Sequence, residues 1–107
     1  MRRFLIVLTV LGLSAGAQAA DHVGDPVAGK RTASDMCSQC HDTTGNEKPN
    51  SPPGNAPPFI SLAQSQEQTP QKLRRTLMLP HGRMVNLIMP GRDTENVISY
   101  ILSLRKQ

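Results

Sequence analysis

The chemistry of this chain is concentrated in five residues, Cys37-Ser38-Gln39-Cys40-His41, which hold the only two cysteines among 107 residues. Two thiols within one helical turn can each add to one of the two vinyl groups on one edge of a porphyrin. A histidine directly after the second thiol is then held beneath the metal, as a proximal imidazole ligand. Cys-x-x-Cys-His is the attachment signature of a c-type haem. Two other readings of the thiols fare worse. A thioredoxin-like dithiol belongs at the end of a strand in a βαβ unit, and no strand pattern surrounds this one. A structural zinc needs two further ligands with their own spacing, and His22 and His81 are too scattered to supply them. One covalent haem, attached at Cys37 and Cys40 with His41 on its iron, is the expected cofactor.

The iron then needs a sixth ligand, and methionine is the abundant candidate. Met36 adjoins Cys37 and is tied to the wrong side of the ring. Met78 falls inside a helical stretch, where packing is the natural use. Met84 and Met89 both lie in the irregular segment before the last helix, so either can present a thioether from the far face. His81 as a ligand would require that segment to refold, and a surface or loop role suits it better.

Short helices between Pro/Gly-rich loops must position these groups. Asp25 caps a helix with Pro26 at its first position, running to about Met36 and delivering the haem motif at its C-terminal end. From Asp42 to Pro58, Gly45, Pro49, Pro52, Pro53, Gly54, Pro57 and Pro58 exclude any regular element. A loop of that length in a small domain is expected to wrap something, here one haem edge. Phe59 to Leu62 is expected to form a helical turn that sets Phe59 and Leu62 against the porphyrin. Thr69-Pro70 starts a further helix with Leu73 and Leu77 on one stripe, and Pro80 stops it. The last helix begins between Gly91 and Glu95 and carries Val97, Ile98, Ile101, Leu102 and Leu104 on one buried face. Arg105 and Lys106 are expected in its last turn, complementing the helix dipole. The chain reads all-α, with no internal repeat.

The N-terminus has the layout of an export signal. Met1-Arg2-Arg3 is positive, Phe4 to Leu13 is apolar, and Ala17-Gln18-Ala19 is a small-x-small cleavage pattern. The apolar part spans ten residues, against about twenty for a bilayer-spanning helix. The expectation is a signal peptide over residues 1–19, cleaved near Ala19, and one domain over 20–107 in a periplasm-like compartment. Membrane association is then expected only through respiratory partners or an uncleaved signal. Without Arg2 and Arg3 the twelve basic residues fall to ten against eight acidic, so the net charge drops from +4 to +2. No aromatic-rich basic stripe accompanies it, and nucleic acid is not an expected partner. The local basic cluster of Lys72, Arg74, Arg75 and Arg83 is a candidate docking patch for an acidic redox partner.

These pieces together resemble the small soluble class I cytochromes c, in particular the short periplasmic single-haem type. The resemblance spans the whole expected domain. It runs from Gly24-Asp25 and Gly29 through Cys37-Ser38-Gln39-Cys40-His41 and Ala56-Pro57-Pro58-Phe59. It continues in Pro80-His81-Gly82-Arg83-Met84 and ends on the helix Val97 to Leu104. It implies a class I cytochrome c fold of three to five short helices and Pro/Gly-rich loops around one haem. In that family a loop Met followed by Pro is the axial ligand, with a helix Tyr sixteen residues later. Met84 stands sixteen residues before Tyr100 and Met89 eleven, whereas the Met-Pro dipeptide is Met89-Pro90 and Val85 follows Met84. Spacing decides where the loop crosses the haem, so the resemblance assigns the ligand to Met84. It also implies that the carbonyl of Pro57 accepts the Nδ1–H of His41, fixing the imidazole's tautomer. Pro90 replaces the serine that usually caps the final helix.

The function implied is single-electron transfer between periplasmic redox proteins, not catalysis. Two other classes stay open on the residues alone, an electron-relay subunit of a dehydrogenase or oxidase and a haem-based sensor of small ligands. Composition adds a physical expectation. The domain has no Trp, and Phe59 and Tyr100 are its only large aromatics, so it lacks the apolar side chains to close a core unaided. The haem-free chain is therefore expected to show no cooperative thermal transition by circular dichroism. A sharp melt with holo-like helix content would contradict this.

Overall fold

The computed structural model describes residues 24–51, 55–79, 84 and 87–106. Four helices form among them: α1 (Pro26–Met36), α2 (Phe59–Gln64), α3 (Pro70–Met78) and α4 (Gly91–Ser103), with no strand. The expected signal peptide, His22, His81 and Arg83 lie outside the described residues. No helix among the described residues is long and apolar enough to cross a membrane.

Capping explains where α1 and α3 begin. The Asp25 carboxylate accepts from the Val27 N–H at 2.8 Å, with Pro26 at the first helical position. The Thr69 hydroxyl accepts from the Lys72 N–H at 3.1 Å, with Pro70 behind it. α3 ends at Met78, as the residue before Pro80 is driven out of helical geometry, and Leu79 is extended. α4 starts without a side-chain cap. Pro90 occupies the cap position, and its carbonyl accepts from both the N–H (3.0 Å) and the hydroxyl (3.2 Å) of Thr94. Asp93 in the first turn complements the dipole.

α1 and α4 cross at near-backbone contact. A Cβ placed on Gly29 would lie 1.9 Å from the Asn96 carbonyl oxygen and 2.9 Å from the Tyr100 Cβ, so only glycine permits the approach. The Asn96 side chain also accepts from the Asp25 N–H at 2.8 Å, tying the start of α1 to α4. Around this crossing Ala33, Cys37, Phe59, Ala63, Leu73, Val97, Ile98, Tyr100 and Ile101 are buried. Leu62, Leu77, Met89, Leu102 and Leu104 pack against them half-buried.

Several expectations change in detail. α2 is a six-residue helix rather than the single turn Phe59–Leu62. Met78 does not pack, being 68% exposed, because it falls on the outer side of α3. Arg105 and Lys106 do not lie in the last turn of α4, which ends at Ser103. The Arg105 guanidinium instead donates to the carbonyls of Ala63 (2.9 Å) and Gln68, and Lys106 pairs with Glu47. Both cations tie the end of the chain to earlier segments. Within the basic cluster, Arg74 is engaged by both carboxylate oxygens of Glu95, at 2.5 and 2.9 Å, which fastens α3 to α4.

Gly29→Ala should force the two helices apart. Overpacking at a contact this tight should cost about 3 kcal/mol, lowering Tm by roughly 12–24 °C in a domain of this size. A thermal melt of the haem-loaded variant within a few degrees of wild type would contradict the crossing described.

Candidate haem-binding site

The haem motif continues directly from α1. The Cys37 N–H donates to Ala33, and the N–H groups of Cys40 (3.2 Å) and His41 (2.9 Å) both donate to the Cys37 carbonyl. This extra turn brings Cys37, Cys40 and His41 to one side of the helix end. Cys37 is buried and Cys40 half-buried, and neither forms a disulfide. Burial pushes the Cys37 thiol up to about 11, the reverse of the depressed value that activates a redox dithiol.

His41 is fixed from two directions. Its ring tilts against Phe59 with centroids 5.4 Å apart, and Phe59 in turn tilts against Tyr100 at 6.3 Å. Its Nδ1 lies 2.6 Å from the Pro57 carbonyl oxygen. A carbonyl can only accept, so Nδ1 carries the proton, and in the neutral ring the lone pair is left on Nε2. That is the tautomer a metal-binding imidazole needs.

In front of the ring lies a cleft of about 190 Å³ with almost wholly apolar walls. Cys37 and His41 form one wall, and Pro57, Phe59 and Leu62 come from the loop and α2. Leu73, Thr76 and Leu77 of α3, Met84, and Ile101 of α4 complete it. A second hollow of about 220 Å³ opens beside it, lined by Met36, Cys37, Gln39, Cys40, His41, Met84 and Leu87. Cys37, His41 and Met84 border both, so the two hollows adjoin along the motif. A larger hollow of about 350 Å³ by Glu47, Ile60 and Lys106 is bordered by charged side chains and holds no thiol, imidazole or thioether. Chemistry, not volume, selects the site.

All six residues expected at the site, Cys37, Cys40, His41, Pro57, Phe59 and Met84, border one or other of these two hollows. Met89 is packed against the buried core instead. Sequence reasoning read Leu73, Leu77 and Ile101 as core only, and they also wall the cleft. It missed Thr76, which the i, i+3 spacing from Leu73 would have flagged. The residues present fit a haem: thiols at the edge, a slot lined by hydrocarbon, and nitrogen and sulfur donors of the kind haem iron accepts.

Loss of one thiol tests this attachment directly. Cys40→Ala should leave haem held by a single thioether or lost, with a collapsed yield of folded protein. Haem that stays with the polypeptide through denaturing electrophoresis after both cysteines are replaced would contradict it.

Among curated proteins the chain is similar to cytochrome c-552 of Bradyrhizobium diazoefficiens, 30% identical over 105 residues, covering 98% of this chain and 95% of that protein. No protein-family model matches the chain. No solved structure matches it either. The identity and near-complete coverage agree with the helices, the thiol pair and the cleft: this chain belongs to the small c-type cytochromes, with the all-α class I fold and one haem c bound covalently through Cys37 and Cys40.

Proposed function

We propose that the protein is an exported carrier of single electrons, with His41 and Met84 as the two axial ligands of its haem iron. The observation that carries this reading is that the His41 imidazole and the Met84 thioether line the same apolar cleft, with Nδ1–H of His41 already committed to Pro57. When bound, the haem supplies a one-electron ferric/ferrous couple. The residues around it supply the rest. Pro57 holds the imidazole in one tautomer and raises its basicity. Held by both the His41 imidazole and the Met84 thioether, the iron would have no position left for substrate, which suits a carrier better than an enzyme. The thioether, a soft neutral donor, favours ferrous iron and raises the potential. Phe59, Leu62, Leu73, Leu77 and Ile101 exclude water, so little solvent has to reorganise when the charge changes.

Residues 1–19 act in this reading as a signal peptide cleaved near Ala19, and residues 20–107 as the periplasmic domain. Its partners are redox proteins. Of the candidate docking cations, Lys72 and Arg75 face solvent, with Lys72 only 3.9 Å from an exposed Glu67 carboxylate. Arg74 is held by Glu95 and contributes less to such a surface than its position in the sequence suggests.

The sixth ligand decides between carrier and sensor. Met84→Ala should abolish the near-infrared sulfur–iron band, lower the midpoint potential and open the iron to carbon monoxide. Met89→Ala should leave spectrum and potential alone and cost about 1–2 kcal/mol of packing, less than a fully buried methionine. The opposite pattern, with Met89 essential and Met84 silent, would overturn the assignment.

A further inference from the structure

Asp42 follows the proximal histidine directly, and nothing in the haem chemistry uses it. It is nonetheless the one carboxylate buried among the described residues, 5% exposed. A buried carboxylate is costly unless its oxygens are satisfied, and here they are. Oδ1 accepts from the Thr44 N–H at 2.9 Å and from the Thr44 hydroxyl at 2.6 Å, and Oδ2 accepts from the Asn50 N–H at 2.5 Å. These donors hold the carboxyl below its ordinary range and keep it anionic.

The same residue joins the outgoing and returning arms of the loop. The Asp42 carbonyl accepts from the Phe59 N–H at 2.9 Å, and the Cys40 carbonyl accepts from the Ala56 N–H at 3.1 Å. Tyr100 of α4 donates its hydroxyl to the Thr43 carbonyl at 2.5 Å, anchoring the turn from the core side. Residues 55–59 are thereby laid alongside 40–42. Pro57, between the two backbone bonds, meets the His41 Nδ1–H.

We infer that Asp42 is a positioning residue for His41: its carboxylate folds residues 42–50 so that the returning arm presents the Pro57 carbonyl to Nδ1–H, and it thereby sets the imidazole's basicity and the haem midpoint potential. The inference rests on the reading of His41 as an axial ligand. A weaker Nδ1–H···O bond makes the imidazole a poorer donor to ferric iron, so disturbing the loop should raise the potential. Removing the negative charge alone would act in the same direction, so the test must separate geometry from charge.

Asp42→Asn removes the charge and the acceptor facing Asn50. Asp42→Glu keeps the charge but lengthens the side chain by one methylene. Both are measured as holoproteins, by redox titration and by amide and imidazole hydrogen exchange in the ferrous state. The expected result is a raised potential in both variants. Exchange at the Asn50 amide should quicken by about tenfold or more, as for a lost hydrogen bond to a charged group, and exchange at His41 Nδ1–H should quicken with it. Should Asp42→Asn not accumulate, Thr44→Val removes one of the three donors with the charge intact and should shift both readings the same way by less. A potential raised only in the Asn variant would overturn the inference in favour of charge acting at a distance. Faster Asn50 exchange with unchanged potential and unchanged Nδ1–H exchange would overturn it in favour of a purely structural role. A wild-type spectrum without a low-spin, histidine-ligated iron would instead overturn the reading beneath it.

Discussion

The scarcity of apolar side chains governs this molecule. Nine apolar or thiol-bearing residues are buried among those described, two of them alanines, and only Phe59 and Tyr100 are large and aromatic. Such an inventory does not offset the chain entropy of a domain this size by itself. The fold answers in two ways. Gly29 lets α1 approach α4 until backbone meets backbone, which needs no bulky residues at the crossing. Part of the apolar surface of Leu62, Leu73, Leu77 and Ile101 also lines a slot. A large planar apolar cofactor fits both facts, because it completes a core that the polypeptide leaves open.

Function follows from the same arrangement. The slot has apolar walls and is bordered by an imidazole and a thioether, donors suited to holding iron in both oxidation states. The parts that fix the imidazole come from one short stretch of chain, Phe59 tilted against its ring and Pro57 on Nδ1, both on the returning arm of the loop that Asp42 gathers. The described residues of this loop, 42–51 and 55–58, are held by side-chain and backbone bonds to Asp42 and Cys40 rather than by a repeating ladder.

How much of this was legible in the sequence depends on the range of the interaction. Asp25-Pro26 and Thr69-Pro70 announce helix starts through local capping, and α1 and α3 begin there. The thiols and His41 carry their chemistry in their spacing. Longer-range facts were not legible. The partners of Arg105 are the carbonyls of Ala63 and Gln68, roughly forty residues away along the chain, and a dipole argument confined to α4 could not find them. Glu95 stands twenty-one residues from Arg74, so a cluster of cations read along the sequence looked freer than it is. Asp42 went unnoticed because an Asp in a Pro/Gly-rich segment reads as a turn former, and only its burial marks it out.

The proposed ligation would hold one haem between His41 and Met84, with both side chains on its iron. The absorption spectrum of the purified wild-type holoprotein tests it most directly, recorded ferric and ferrous into the near infrared and repeated with carbon monoxide. The spectrum should show a low-spin six-coordinate haem, a sulfur–iron band in the ferric form and no response of the ferrous form to carbon monoxide. A five-coordinate spectrum, a low-spin ferric spectrum without the sulfur band, or ready carbon monoxide binding would contradict it.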